Sequence, residues 1–365
     1  MHITRFFSLV CGGLIASAAV WAADSNAAPG KAPTTLVVIN QRDDTLGAFR
    51  VDAVTGRLSP SAPPSLPTDR NPYAVAVDPT GQRLWVTHGD ASDVVAYSHE
   101  RTKSVVTRTA AASVPTGDYA VSATVDPTGR FVYVMTMVAD AVAAYAVGDG
   151  GLLTPVQGSP FEAGGRPSGG AIDPGGRYFY ATNLTTGNVS GYAIDPKTGA
   201  LAALAGSPFE AGTNPRAIAI DPAGQHAYVA NAISNTVSQY AVDPGTGRLT
   251  PLTLRTVPAG RNPRAIVVEP RGRFVYVACH DDGQIWAYRI DPGTGQLRPV
   301  KHQPFTAGKG PRGLTVDARG SFLYTANNGS ATISGYRINP RTGALSALPG
   351  SPYGAGKGPF GIAVF

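Results

Sequence analysis

An all-β fold, a seven-bladed propeller with four-stranded blades, is what this 365-residue sequence predicts, on three observations. A turn signature returns about every 48 residues, as Asp78-Pro79-Thr80-Gly81, Asp126-Pro127-Thr128-Gly129, Asp173-Pro174-Gly175-Gly176 and Asp221-Pro222-Ala223-Gly224, then, weakened, as Glu269-Pro270-Arg271-Gly272 and Asp317-Ala318-Arg319-Gly320. A period of this length marks one supersecondary unit stacked repeatedly. Each unit has room for four short strands and shows no sustained helical period. The two ends of residues 34–365 carry complementary parts of a single unit.

The unit beginning at Pro215 shows the grammar. Arg216-Ala217-Ile218-Ala219-Ile220 alternates large and small residues, as a strand packed on two unequal faces does. In the Asp-Pro-x-Gly turn that follows, Asp bonds the backbone, Pro fixes φ and Gly closes the turn. His226–Asn231 is the second strand and 235–242 the third; Asp243-Pro244-Gly245-Thr246-Gly247 turns the chain into a fourth over 248–257. Four short strands with tight turns make a propeller blade. Second strands begin near Leu36, Leu84, Val132, Phe179, Ala227, Val275 and Leu323, which sets the blade number at seven. The chain starts on a second strand, Thr35–Ile39, and stops on an innermost one, Gly361–Phe365, so the last strand is expected to complete the first blade. Closing the ring this way pairs edges that would otherwise template aggregation. Small residues on the inner strands (Ala74, Ala76, Gly169, Ala217, Ala219, Gly313) suit crowding near the axis.

Residues 1–22 have the form of a secretory signal: Arg5, an apolar run from Phe6 to Val20, and a small-residue cleavage site at Val20-Trp21-Ala22. The run is short for a membrane span and no charged stop follows it, so no span is expected after its removal. Residues 23–33 are rich in Ala, Pro and Gly and read as a flexible lead-in. A periplasmic or secreted protein is the expectation. Without the signal one cysteine remains, Cys279, so the fold must stand without a disulfide. The net charge of +6 is spread along the chain with no basic run, which argues against nucleic acid as a partner. A closed ring needs no partner to hide an edge, so monomer is the default.

Blades of the form P-x-A-I-x-x-D-P-x-G-x-x-x-Y-V-A-N, with the turn Asp195-Pro196-Lys197-Thr198-Gly199 and a G-S-P-F segment, carry a family resemblance. They resemble the seven-bladed propeller lactonases, the 6-phosphogluconolactonase-like group, and the wider set of propellers with a Tyr-Val-Thr-Asn repeat. The matching segments are Tyr180-Ala181-Thr182-Asn183, Tyr228-Val229-Ala230-Asn231 and Tyr324-Thr325-Ala326-Asn327. The resemblance implies hydrolysis of a lactone. The shared residues are mostly strand and turn residues, so the site must be sought elsewhere.

Strand direction puts the recurrent Asp-Pro turns on one face and the loops before strand one and after strand two on the other. That second face is basic. Arg70, Arg166, Arg261, Lys309 and Lys357 precede strand one, and Arg216, Arg264 and Arg312 follow the loop proline in three consecutive blades. Guanidinium groups suit bidentate binding of carboxylate or phosphate; the bland alternative is pairing with nearby acids or snorkelling to solvent. The second strands end in a polar column, Asn40, His88, Thr136, Asn183, Asn231, Cys279 and Asn327, where Asn has the bland job of bonding strand-end backbone. His280-Asp281-Asp282 departs from the pattern. A lactone hydrolase needs a base to activate water and a donor for the developing oxyanion. The candidate catalytic residues are therefore His280, Asp281 and Arg264; the candidate substrate-binding residues are Arg216, Arg312, Arg166, Lys309, His88 and Asn231. Asp281, Asp282, Asn231 and Asn327 lack metal-ligand spacing, and no phosphate loop or nucleophile elbow occurs, so neither metal nor other cofactor is expected. Two functions remain: an exported lactonase holding a small anionic substrate, or a non-catalytic propeller binding an anionic ligand, a polymer or a protein through the same face.

Overall fold

The alternating segments fold into seven antiparallel sheets arranged as a ring, in a computed structural model that describes residues 34–365. The expected signal and lead-in, residues 1–33, lie outside the described residues. Six blades open on an innermost strand: Pro72–Val77, Ala120–Val125, Pro167–Ile172, Pro215–Ile220, Pro263–Val268 and Pro311–Val316. Each continues outward through its second, third and fourth strands in chain order. The first blade is composite, as expected. Its innermost strand is Pro359–Val364, paired with Thr34–Asn40 in the register Leu36↔Val364, Val37↔Ala363 and Val38↔Ile362.

Buried carboxylates hold the inner turns. Asp78 Oδ1 accepts the backbone N–H groups of Gln82 and Arg83 at 2.9 and 3.0 Å, and Asp126 Oδ1 those of Arg130 and Phe131 at 2.6 and 2.7 Å. A buried acid is tolerated when its oxygens are taken in this way. The recurrent acids are therefore structural.

Tyrosines tie most blades to their neighbours. The second-strand Tyr133, Tyr180, Tyr228, Tyr276 and Tyr324 donate their hydroxyls to Gly199, Gly247, Gly295, Gly343 and Gly56, the glycines of the outer turn in the next blade. Third-strand Tyr240, Tyr288 and Tyr336 reach back to carbonyls of Glu210, Pro258 and Thr306 at the end of the previous blade.

The outermost strand takes two forms. It is continuous over Leu58–Pro67, Val105–Pro115 and Leu249–Pro258. In the other four blades it is split into a three-residue and a two-residue piece. The split goes with a Ser/Gln-Pro-aromatic segment: the outer strand swings away, Ser159, Ser207 and Ser351 Oγ accept the N–H groups of Ala144, Gly191 and Gly335 that it leaves behind, at 2.9, 2.9 and 3.0 Å, and Gln303 Oε1 accepts that of Ala287 at 3.3 Å. The inner strands crowd the axis, and a Cβ on Gly313 would lie 2.3 Å from the Phe360 carbonyl oxygen.

Candidate functional site

The second residue of each innermost strand, just after the loop proline, stands at one height around the pore. In the six strands that begin with proline it is half-buried, while its neighbours are buried. The side chain points into the pore mouth because its neighbours along the strand face the sheet interfaces. Reading round the ring gives two arcs. Blades five, six and seven present Arg216, Arg264 and Arg312. Blades one, two and three present Phe360, Tyr73 and Val121, with Ser168 of blade four at the junction. These seven residues, with Ala74, Ser122 and Met137, line one inner pocket. The three arginines were legible in the sequence as a register. The apolar arc carries no such signal, because the residue type at this position changes in the remaining blades.

The arginines have few partners. Arg216 Nε donates to Asn214 Oδ1 at 3.0 Å, while the Nε atoms of Arg264 and Arg312 are buried without a hydrogen bond. No salt bridge joins these three to an acid among the described residues. Burial, then the Arg216 charge beside it, pulls the Arg264 guanidinium down to about 10. Burial and the neighbouring arginines lower Arg216 and Arg312 in the same sense. Desolvated, mutually repelling cations of this kind favour an anionic occupant. Arg312 also stacks its guanidinium over Phe360, 4.7 Å from the ring centroid.

Arg312 lines a second, outer groove as well, with His280, Asp281, Lys309 and Arg42. His280 Nδ1 donates to Asp281 Oδ1 at 2.7 Å, and Asn262 Nδ2 donates to the same oxygen at 2.9 Å. Fixing the proton on Nδ1 leaves the Nε2 lone pair free to accept one. This atom faces Gly310, where a Cβ would lie 3.0 Å from it. Burial, together with the charges of Arg312 and Arg264, lowers the His280 pKa against the opposing bond from Asp281, so the ring is neutral near pH 7. The His280 hydrogen bond in turn keeps the Asp281 carboxylate below its usual range. The structure thus brings His280 and Asp281 to a groove that shares Arg312 with the inner pocket.

Other sequence candidates are placed differently. Asn231 is fully buried, donating to Thr236 Oγ1 and Ser238 Oγ and accepting the Gly212 N–H. His88 is fully buried and bonded to Asp93, which also accepts from Ser113. Both serve their own blades rather than the pore. Arg166 is exposed and contacts Met137 Sδ at 3.3 Å, beside the inner pocket. Arg261 pairs with Asp282 at 2.7 Å. Cys279 is buried, and its thiol is pushed up to about 12 by that burial. Among the described residues, Asp69, His88 and Asp93 place ligand-type atoms within 4.8 Å of one another. The Asp69 carboxylate is already clasped by Arg108 at 2.9 and 2.6 Å, so this grouping reads as an ion-paired cluster.

The family model described as "Lactonase, 7-bladed beta-propeller" matches residues 115–208 and 171–357. No curated protein sequence matches. Among solved structures, the chain is similar to a candidate 6-phosphogluconolactonase from Bacteroides uniformis, with TM-score 0.81 and 18% identity over 92% of this chain and 100% of that one. It is similar to a periplasmic gluconolactonase from Pseudomonas aeruginosa, with TM-score 0.78 and 22% identity over 91% and 98%. It also resembles hydrazine synthase from Kuenenia stuttgartiensis, with TM-score 0.62 and 17% identity over 80% and 89%. Likeness at these identities speaks to the fold, which hosts more than one chemistry.

Proposed function

The chain belongs to the 7-bladed β-propeller lactonase family, and on that premise we propose that it hydrolyses a lactone whose anionic group is held by Arg216, Arg264 and Arg312. The observation that carries the reading is Arg312, which lines both the arginine pocket and the groove of the His280–Asp281 pair. In this mechanism His280 Nε2 takes a proton from water as the water oxygen bonds to the lactone carbonyl carbon. Arg312 and Arg264 stabilise the negative charge that develops on the carbonyl oxygen. When the ring C–O bond breaks, the imidazolium returns its proton to the departing alkoxide, and the product is a hydroxy acid. Asp281 holds the imidazole in the required tautomer. Lys309 and Arg166 add positive charge around the entrance and help draw the anion in.

Export to the periplasm or beyond is part of the proposal. The signal-like residues 1–22 support it, and so does the periplasmic location of the Pseudomonas aeruginosa relative. One observation favours a second reading, a non-catalytic binding propeller: Asp281 is 47% exposed in an open groove, where water competes with any ordered substrate.

Turnover of a lactone panel by the purified mature protein, corrected for spontaneous ring opening, separates the two readings. His280→Gln is expected to lower kcat by about 100-fold or more, and Arg264→Ala to lower kcat/KM by a comparable factor. Rates equal to buffer for every lactone would leave the binding reading in place.

A further inference from the structure

Seven positions with the same backbone setting give an internal comparison, because each is the second residue of an innermost strand. Neither the fold nor the turn demands any particular side chain there, as the range from Arg to Phe, Tyr, Val and Ser shows. Yet the residues are sorted rather than mixed. The three cations are contiguous, and so are the three apolar or aromatic residues. Phe360 and Tyr73 lie with ring centroids 4.5 Å apart, and the Tyr119 edge continues the wall 5.9 Å from Tyr73. Met137 and Val121 extend it on the far side. From this division we propose that the pore ligand is a flat, largely apolar ring carrying two neighbouring anionic groups, its face against Phe360 and Tyr73 and its anions on the arginine arc. The proposal rests on the reading that anions bind at this pore mouth, and it adds the chemistry of the rest of the molecule.

Two features set the charge and the body. The arginines are half-buried and repel one another, with no acid in a salt bridge to them and Asp281 the one carboxylate that acts on Arg264 and Arg312. One negative charge would leave two guanidinium groups repelling, whereas a dianion leaves about one in excess. Buried Nε donors on two neighbouring blades also ask for two acceptors. On the other arc, Val121, Met137 and the Phe360 face offer nothing to a hydroxyl, and the polar groups beside them are few, the hydroxyls of Ser122, Ser168 and Tyr73. A polyhydroxylated ring pressed there would give up more hydrogen bonds to water than these few hydroxyls replace, while an unsubstituted ring face packs favourably. Arg312 over Phe360 joins the arcs at the point where an anionic substituent leaves the ring plane.

The test is calorimetric titration of the full mature chain with benzene-1,2-dicarboxylate, benzoate, 6-phosphogluconate and inorganic phosphate. The dicarboxylate is expected to bind at least about tenfold tighter than benzoate, which lacks the second charge, and than 6-phosphogluconate, which has the charge but a hydroxylated body. Tyr73→Ala and Phe360→Ala are expected to erase the advantage over 6-phosphogluconate while phosphate binding stays within about twofold. Phe360→Leu, a milder change on the apolar arc, is expected to keep part of it. Equal or tighter binding of 6-phosphogluconate to the unaltered protein overturns the proposal and needs no variant. If that occurs while Arg264→Gln still weakens every anion, the anion-binding mouth stands and only the apolar body fails. If Arg264→Gln changes no anion's affinity, the anion-binding reading and this inference fall together.

Discussion

His280 is a case in which three neighbours set the behaviour of one atom. Asp281 fixes the proton on Nδ1, and burial with Arg312 and Arg264 keeps the ring neutral. The sign of the pH dependence follows. Catalysis needs Nε2 unprotonated, so kcat/KM should fall with decreasing pH, with its acid limb below the ordinary histidine value of about 6.5. Removing either cation takes away a charge that disfavours the imidazolium. In Arg264→Gln or Arg312→Gln the limb should move to higher pH, whatever happens to the plateau. A pH profile of the residual activity measures this, and a limb that stays put or moves down would show that His280 is not the titrating base. Cys279, in the neighbouring position, is buried, and its thiol, raised to about 12 by that burial, keeps its proton at neutral pH.

At the scale of the element, tyrosine straps explain a motif that the sequence only displays. The first letter of the Tyr-x-x-Asn segment is tyrosine because its hydroxyl must reach the next blade's turn glycine, as Tyr228 reaches the Gly295 carbonyl at 2.7 Å, and Tyr276 of the segment that ends in Cys279 does the same to Gly343 at 2.9 Å. The last letter is asparagine because its amide spans Thr and Ser of the third strand, as in Asn327 with Thr332 and Ser334. Tyr276→Phe should therefore leave a buried carbonyl unpaired and lower unfolding stability by about 1–2 kcal/mol. Tyr353→Phe is the control, since its hydroxyl bonds the Pro349 carbonyl within its own blade at an exposed site. Denaturant titration of the two variants should show a larger midpoint shift for Tyr276; equal shifts would deny the strap its role. The turn glycine is equally constrained. Gly343 has φ +76° and packs beneath Phe274, where a Cβ would come within 2.4 Å of the ring.

For the whole molecule, closure is the stabilising event. The chain's last strand is the innermost strand of its first blade, and Tyr324 of the seventh blade bonds Gly56 of the first at 2.7 Å. Deleting residues 359–365 would expose the edge of Thr34–Asn40 and remove Phe360 from the pore. The expected outcome is aggregation, read by size-exclusion chromatography, because an open sheet edge pairs with other chains. Recovery of a monodisperse, cooperatively melting protein after that deletion would show that six complete blades hold the ring unaided.

The architecture was largely legible in the sequence, because turns and strand alternation are local chemistry. Asp-Pro-x-Gly reports its turn wherever it occurs, and a 48-residue period with mismatched ends leaves a closed ring of seven as the arrangement that pairs every strand. The arginine register at 216, 264 and 312 was legible for the same reason, as one position repeated. The pore wall was not. Phe360, Tyr73 and Val121 lie far apart along the chain and share no residue type with the arginines, so only the ring brings them to one height and makes them the other half of a pocket. The fates of His88 and His280 were likewise decided by the fold. Both stand near second-strand ends, but His88 turns into its blade toward Asp93, while His280, one residue past the column, faces the groove beside Arg312. A local pattern fixes where a strand begins and ends; whether a polar side chain meets a neighbour, water or a ligand depends on what the closed ring places across from it.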